Sequence, residues 1–247
     1  MLPINTIKME KSESGSPIYR YKESDINDFE MASGESSIDE ISDHIEKHVG
    51  KIDTVFHELV SDQVHVDIHW VKPTKKRPFH TLVTSGMSDK AMITPEGVEG
   101  CEYAELSICL PEEWKISDED FEDERNYWPV RWLKYLARFP HEYNTWLGYG
   151  HTIPNGDPAD PFAENTELNT MLLLPTIVFG QEFHTLELEN KSIDFYTIIP
   201  LYSEEVNRKM KKGVESLFDG FDKYGLTDIV QIDRENTAKR KKRFGLF

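Results

Sequence analysis

Apolar residues recur at helical spacing at Ile38, Ile41, Ile45 and Val49, the pattern of a helix with one buried stripe. Ser37 and Glu40 fit a capping box at its start, and Gly50 fits a C-terminal cap. The period then shortens: Asp53–Leu59, Val64–Val71, Phe79–Thr84 and Tyr103–Leu110 read as strands. Pro73 and Pro78 bound a charged turn between the second and third of these. A helix is predicted from about Trp128, with Pro129 in its first turn and Val130, Leu133, Leu136 and Ala137 as its buried stripe. Phe139-Pro140 is expected to end or kink it. Asn155-Gly-Asp-Pro158 reads as a loop, and Leu172–Phe179, Phe183–Leu188 and Ile193–Ile199 as strands. A last helix is predicted from Ser203 as N-cap, with Glu204 and Glu205 in its first turn. Val206, Met210, Val214, Leu217, Phe218, Phe221 and Tyr224 share one of its faces, and Gly225 closes it. Gly213 costs that helix about 1 kcal/mol. Strands outnumber helices without strict alternation, so the expected class is α+β, a mixed, largely antiparallel sheet flanked by helices.

The two ends lack such periodicity. Residues 1–36 are rich in Ser, Glu, Asp and Lys and read as a poorly ordered polar arm, within which Ile18–Tyr21 could dock. Residues 237–247 form a basic tail with five positive charges at Lys239–Arg243, most simply a solvated terminus. Residues 37–236 remain as one domain.

Charge narrows the functional classes. The 247 residues carry a formal net charge of −17, which disfavours direct binding to nucleic acid or to an anionic membrane and favours a basic partner. The longest nearly apolar run, Met171–Phe179, is too short to cross a bilayer, and the N-terminus has no apolar signal core. Cys101 and Cys109, if on one strand, stand about 27 Å apart, beyond disulfide reach; they read as reduced thiols of a cytoplasmic protein. The acids concentrate at residues 112–126, where Glu112, Glu113, Asp118, Glu119, Asp120, Glu122, Asp123 and Glu124 are the candidate partner-binding residues.

Few residues suggest catalysis. His65, Asp67 and His69 share one face of a strand, with His57 and Glu58 on the strand before; two imidazoles and a carboxylate can ligate a metal. The plainer reading is a hydrogen-bonded polar sheet face, because no H-E-x-x-H or paired C-x-x-C accompanies them. Glu40, His44 and His48 have ligand spacing on the first helix, but read as an exposed face. Ser85 and Ser88 lie in a small-residue turn without a nucleophile elbow. Gly148–Gly156 matches no phosphate-binding motif. No catalytic residue, cofactor or metal is therefore expected.

Several segments, in order, resemble a known family. His44–Asp62, Thr81–Asp89, Tyr103–Ile108, Trp128–Arg138, Gly150–Pro154 and the last helix are similar to the Suppressor of fused (SUFU-like) domain in its bacterial form. The resemblance spans residues 37–235, and Ser16–Tyr21 is similar to the arm of Firmicute members. It implies a non-enzymatic α+β protein that binds proteins. Bacterial single-domain members are associated with polymorphic toxin loci, which implies an immunity protein that neutralises a toxin, in many cases a nuclease with a basic surface. Two alternatives stand beside it. One is a regulator that sequesters a transcription factor by strand addition, as the animal relative does. The other is a metal-dependent enzyme using His65, Asp67 and His69.

Overall fold

In a computed structural model that describes residues 10–21, 36–57 and 65–239, the apolar alternation resolves into one central sheet. Its strands are β3 (Thr54–Phe56), β4 (Asp67–Val71), β5 (Phe79–Ser85), β6 (Ala104–Pro111), β7 (Thr152–Pro154), β8 (Thr170–Leu174), β9 (Thr185–Glu187) and β10 (Ser192–Leu201). The order is β3-β4-β5-β6-β10-β8-β7, with β9 also paired to β10. The β6–β10 pair is parallel and the other pairs are antiparallel. Two short strands, β1 (Glu10–Lys11) and β2 (Pro17–Ile18), form a separate hairpin in the N-terminal arm. The helices are α1 (Ile38–His48), α2 (Glu124–Glu142), α3 (Ser203–Lys212) and α4 (Phe218–Tyr224). The fold is the expected mixed, largely antiparallel α+β arrangement.

Strand periodicity assigns the two faces. Ile68, Leu82, Leu106, Ile108, Met171, Leu173 and Ile198 face α2, where Trp128, Trp132, Leu133 and Leu136 close the largest core cluster. On the opposite face, Val71, Val83, Ile193 and Phe195 pack with Ile41 and Ile45 of α1. Leu172, Leu174, Ile199 and Leu201 pack there with Leu217 and Phe221. At the arm, Tyr21 docks on α2: its ring lies 5.3 Å from Phe139 and its hydroxyl 2.6 Å from the Thr145 hydroxyl.

Several local expectations are corrected. Ser37 makes no side-chain cap; its backbone N–H instead donates to Asp89 Oδ1 at 3.3 Å, so a distant carboxylate replaces the capping box. Gly50 does close α1, its N–H donating to Ile45 O at 3.1 Å. Helix α2 begins four residues before Trp128, because Asp123 caps it by accepting the Arg125 N–H. Pro140 does not end α2, which runs to Glu142. The strand expected to reach Phe179 stops at Leu174. Beyond it, the Ile177 N–H and the Thr176 hydroxyl donate to the buried Asp228 carboxylate. Only Thr185–Glu187 of the stretch 183–188 is a strand, preceded by a 3-10 turn at Gln181–Phe183. The last helix breaks at Gly213, whose φ of 87° is left-handed. Its N-cap is Tyr202 rather than Ser203.

Candidate functional site

The densest acidic run of the chain sits where α2 begins. Ser117 and Asp120 exchange hydrogen bonds, the Ser117 hydroxyl donating to Asp120 Oδ2 at 2.6 Å and the Asp120 N–H to Ser117 Oγ at 3.1 Å. These bonds set a 3-10 turn at Asp120–Glu122, and Asp123 then caps the helix. A caged turn beside a helix start holds several carboxylates in one place.

A second segment completes the site. The loop before β8 is anchored by buried Phe162, which stacks 5.2 Å from the Trp128 ring and meets Trp132 edge-on at 4.8 Å. Thr166, also buried, donates its hydroxyl to Ile232 O at 2.9 Å. Asp160, Glu164 and Glu167 lie within or beside this anchored stretch. The result is an open cleft of about 1000 Å³ lined by Glu119, Glu122, Asp123, Glu124, Asp160, Glu164 and Glu167, with Arg125 as its basic member. Arg125 is already engaged, with Nε 2.9 Å from both oxygens of Asp123. That bond, with the charge beside it, holds the Asp123 carboxyl below its ordinary range. Glu124 pairs with Arg131 at 2.6 Å along the helix. The cleft is therefore strongly negative, and α2 turns its N-terminus toward it.

Of the eight acids singled out in the sequence, Glu119, Glu122, Asp123 and Glu124 line this cleft. Glu113 lines a smaller neighbouring cavity of about 310 Å³ with Trp114, Lys115 and Arg125. Asp120 is spent on the turn, and Asp118 is exposed. Glu112 is exposed and uses its backbone oxygen to bond His80 Nε2 at 3.1 Å. Asp160, Glu164 and Glu167 were missed. Their signal in the sequence is three acids in eight residues, too sparse to stand out without the fold.

The histidine-bearing strand is rearranged relative to expectation. Asp67 is buried, and its two oxygens meet different imidazoles: Oδ2 lies 3.0 Å from His57 Nδ1 and Oδ1 lies 3.0 Å from His65 Nε2. His69 does not join them; its Nε2 is 2.8 Å from Ser85 Oγ. Burial pushes the His69 pKa down to about 4. A Ser–His contact beside a carboxylate superficially resembles a nucleophile and its base. Yet Ser85 and His69 are each 1% exposed, and His69 Nδ1 has no partner among the described residues, so no group orients the imidazole and no substrate reaches the hydroxyl. Ser88 is also committed, donating its hydroxyl at 2.7 Å to the fully buried Glu105. His44 corrects another expectation: it is buried, with its ring 5.4 Å from Phe183 and 4.9 Å from Phe195, rather than exposed with His48. Glu58 lies outside the described residues, as does the basic tail beyond Lys239. Cys101 and Cys109 are free thiols.

Residues 62–235 match the family described as Suppressor of fused protein. The chain belongs to the Suppressor of fused family. Among curated proteins, an uncharacterized protein of Ureaplasma parvum serovar 3 is 24% identical over 202 residues, which span 81% of this chain and 94% of that one. A solved Suppressor of fused homolog from Neisseria gonorrhoeae FA 1090 is similar in fold, with a TM-score of 0.58 at 18% identity over 83% of this chain and 96% of that one. A chain of the Sufu–Fu complex gives a TM-score of 0.57 at 14% identity over 82% of this chain and 92% of its own. Drosophila Suppressor of Fused gives a TM-score of 0.55 at 14% identity, and the match spans 82% of this chain but half of that one. Among the described residues, no helix is long and apolar enough to cross a membrane.

Proposed function

We propose that this chain is a non-enzymatic protein-binding member of the family, and that its acidic cleft seats a basic segment of a partner protein. The partner class is a polymorphic toxin, neutralised in the cytoplasm. The observation that carries the reading is the cleft itself, seven carboxylates from two chain segments around one ion-paired arginine. A surface of that charge raises the encounter rate with a cationic partner and rejects anionic ones. Nucleases present cationic surfaces to phosphate, so a nuclease toxin is the fitting subclass. Protein binding by a relative, in the Sufu–Fu complex, supports the general role.

The test is co-purification with toxin domains encoded beside its gene, followed by affinity measurement against salt. A complex should form and weaken steeply between 0.1 and 1 M salt, as the screening length falls from about 10 to 3 Å. Joint Glu119→Lys, Glu122→Lys, Glu164→Lys and Glu167→Lys substitution should weaken it by about tenfold or more. No complex with any neighbouring toxin domain, or one indifferent to the fourfold reversal, overturns the proposal.

A further inference from the structure

We propose that His57, His65 and Asp67 form a binding site for a divalent transition-metal cation of the zinc class. The site lies at the other end of the sheet's strand order from β7, where β3 meets β4, and is distinct from the acidic cleft. One ligand atom from each of the three residues falls within 4.8 Å of the others. Imidazole nitrogen and carboxylate oxygen are the donors zinc takes at about 2.0–2.2 Å. Three protein ligands leave a fourth tetrahedral position for water.

The geometry is that of a site held by protons. Each imidazole meets its own oxygen of Asp67 at 3.0 Å, and one cation replaces the two hydrogens that make those contacts. The anchor is buried and the arms are exposed. The Asp67 side chain is 5% exposed, whereas those of His57 and His65 are 65% and 55% exposed. The backbone behind His65 is closely packed: Gly86 approaches so closely that a Cβ there would stand 1.9 Å from His65 O. Two imidazoles among the three ligands favour a transition metal over an alkaline-earth ion, and Lys134 of α2, within electrostatic range of Asp67, opposes any cation equally. His57 and His65 flank residues 58–64 in sequence, so a bound ion would tie together the two ends of that connection.

The experiment titrates tag-free, full-length protein with Zn²⁺ by calorimetry and with Co²⁺ by visible absorption, which reports tetrahedral coordination. One ion per chain should bind, with a rise in melting temperature. His57→Ala and His65→Ala should each weaken binding by about tenfold or more, since even outer-shell partners are worth roughly 10–100-fold. Both side chains are exposed, so the variants are expected to fold; circular dichroism checks this. His48→Ala, a change at a histidine outside the cluster, should leave the affinity unchanged. The absence of stoichiometric binding overturns the proposal, as does binding that persists unchanged in the His57 and His65 variants.

Discussion

Glu205 and Arg234 form a buried two-pronged ion pair, Nη1 to Oε1 at 2.7 Å and Nη2 to Oε2 at 2.5 Å. Glu205 is fully buried and also accepts the Tyr202 N–H at 3.1 Å and the Thr237 N–H at 3.0 Å. Arg234 donates onward to Pro200 O at 2.9 Å. The pair thus ties the start of α3 and the end of β10 to the segment after α4. Burial alone would raise the Glu205 pKa, but the guanidinium and the converging donors outweigh it and hold the carboxyl below its ordinary value.

Breaking this pair strands a charge. Arg234→Met should destabilise the fold by about 3–5 kcal/mol, the cost of an uncompensated buried ion. Urea unfolding checks it; a loss under about 1 kcal/mol would show that Glu205 finds another partner or takes up a proton without penalty. Because the folded pKa is lowered, the pair's contribution is present above the ordinary glutamate pKa and is lost as pH falls through the folded value.

Glu105 titrates in the opposite sense. Burial pushes its pKa up to about 7, although Thr84 and Ser88 donate to it. A carboxyl raised in the folded state favours folding most below its unfolded pKa, and this advantage fades as pH rises through about 7. Stability relative to a Glu105→Gln variant should therefore decline between about pH 4.5 and 7 by about 3 kcal/mol. Chemical denaturation of both proteins across that range measures the difference. A flat difference would sink the assignment.

His141 gives a pH dependence of its own. Burial lowers its pKa to about 4, against a bond to Met87 O at 2.9 Å. The unfolded chain then binds the proton first, so the wild type should lose stability relative to His141→Gln as pH falls from about 6.5 toward 4. Parallel melting curves at pH 7 and pH 5 suffice to test this.

Phe162 is the pin of the cleft's second wall, 2% exposed between Trp128 and Trp132. Phe162→Ala should cost about 3–5 kcal/mol and weaken partner binding even under conditions where the variant stays folded. Unfolding and binding measured on one preparation separate the two effects. Unchanged affinity in the folded variant would mean that the loop does not shape the interface.

Gly86 sits at φ 103° with the His65 carbonyl against it. Gly86→Ala combines left-handed strain with a backbone clash, each of order 1–3 kcal/mol. Thermal unfolding should show a large loss, and the small-residue turn at 84–89 is better explained by this close approach than by a nucleophile.

Much of this molecule is legible in the order of its residues. Alternation along β4, β5, β6 and β10 and the i, i+3, i+4 stripe of α1 say which side chains share a face, because that periodicity follows from local backbone geometry alone. The acidic run at 112–126 is local in the same way. What the chain order does not contain is which distant segment arrives to complete a site. Glu205 reads as a solvated first-turn acid until Arg234, 29 positions later, folds over it. Three of the cleft's seven acids, Asp160, Glu164 and Glu167, come from a loop held by an aromatic anchor rather than from any spacing rule. His69 shares a strand face with Asp67, yet turns to Ser85 of the next strand and leaves its place to His57. Local periodicity fixes which residues share a face; cross-strand register and long-range packing decide what covers that face and which groups meet.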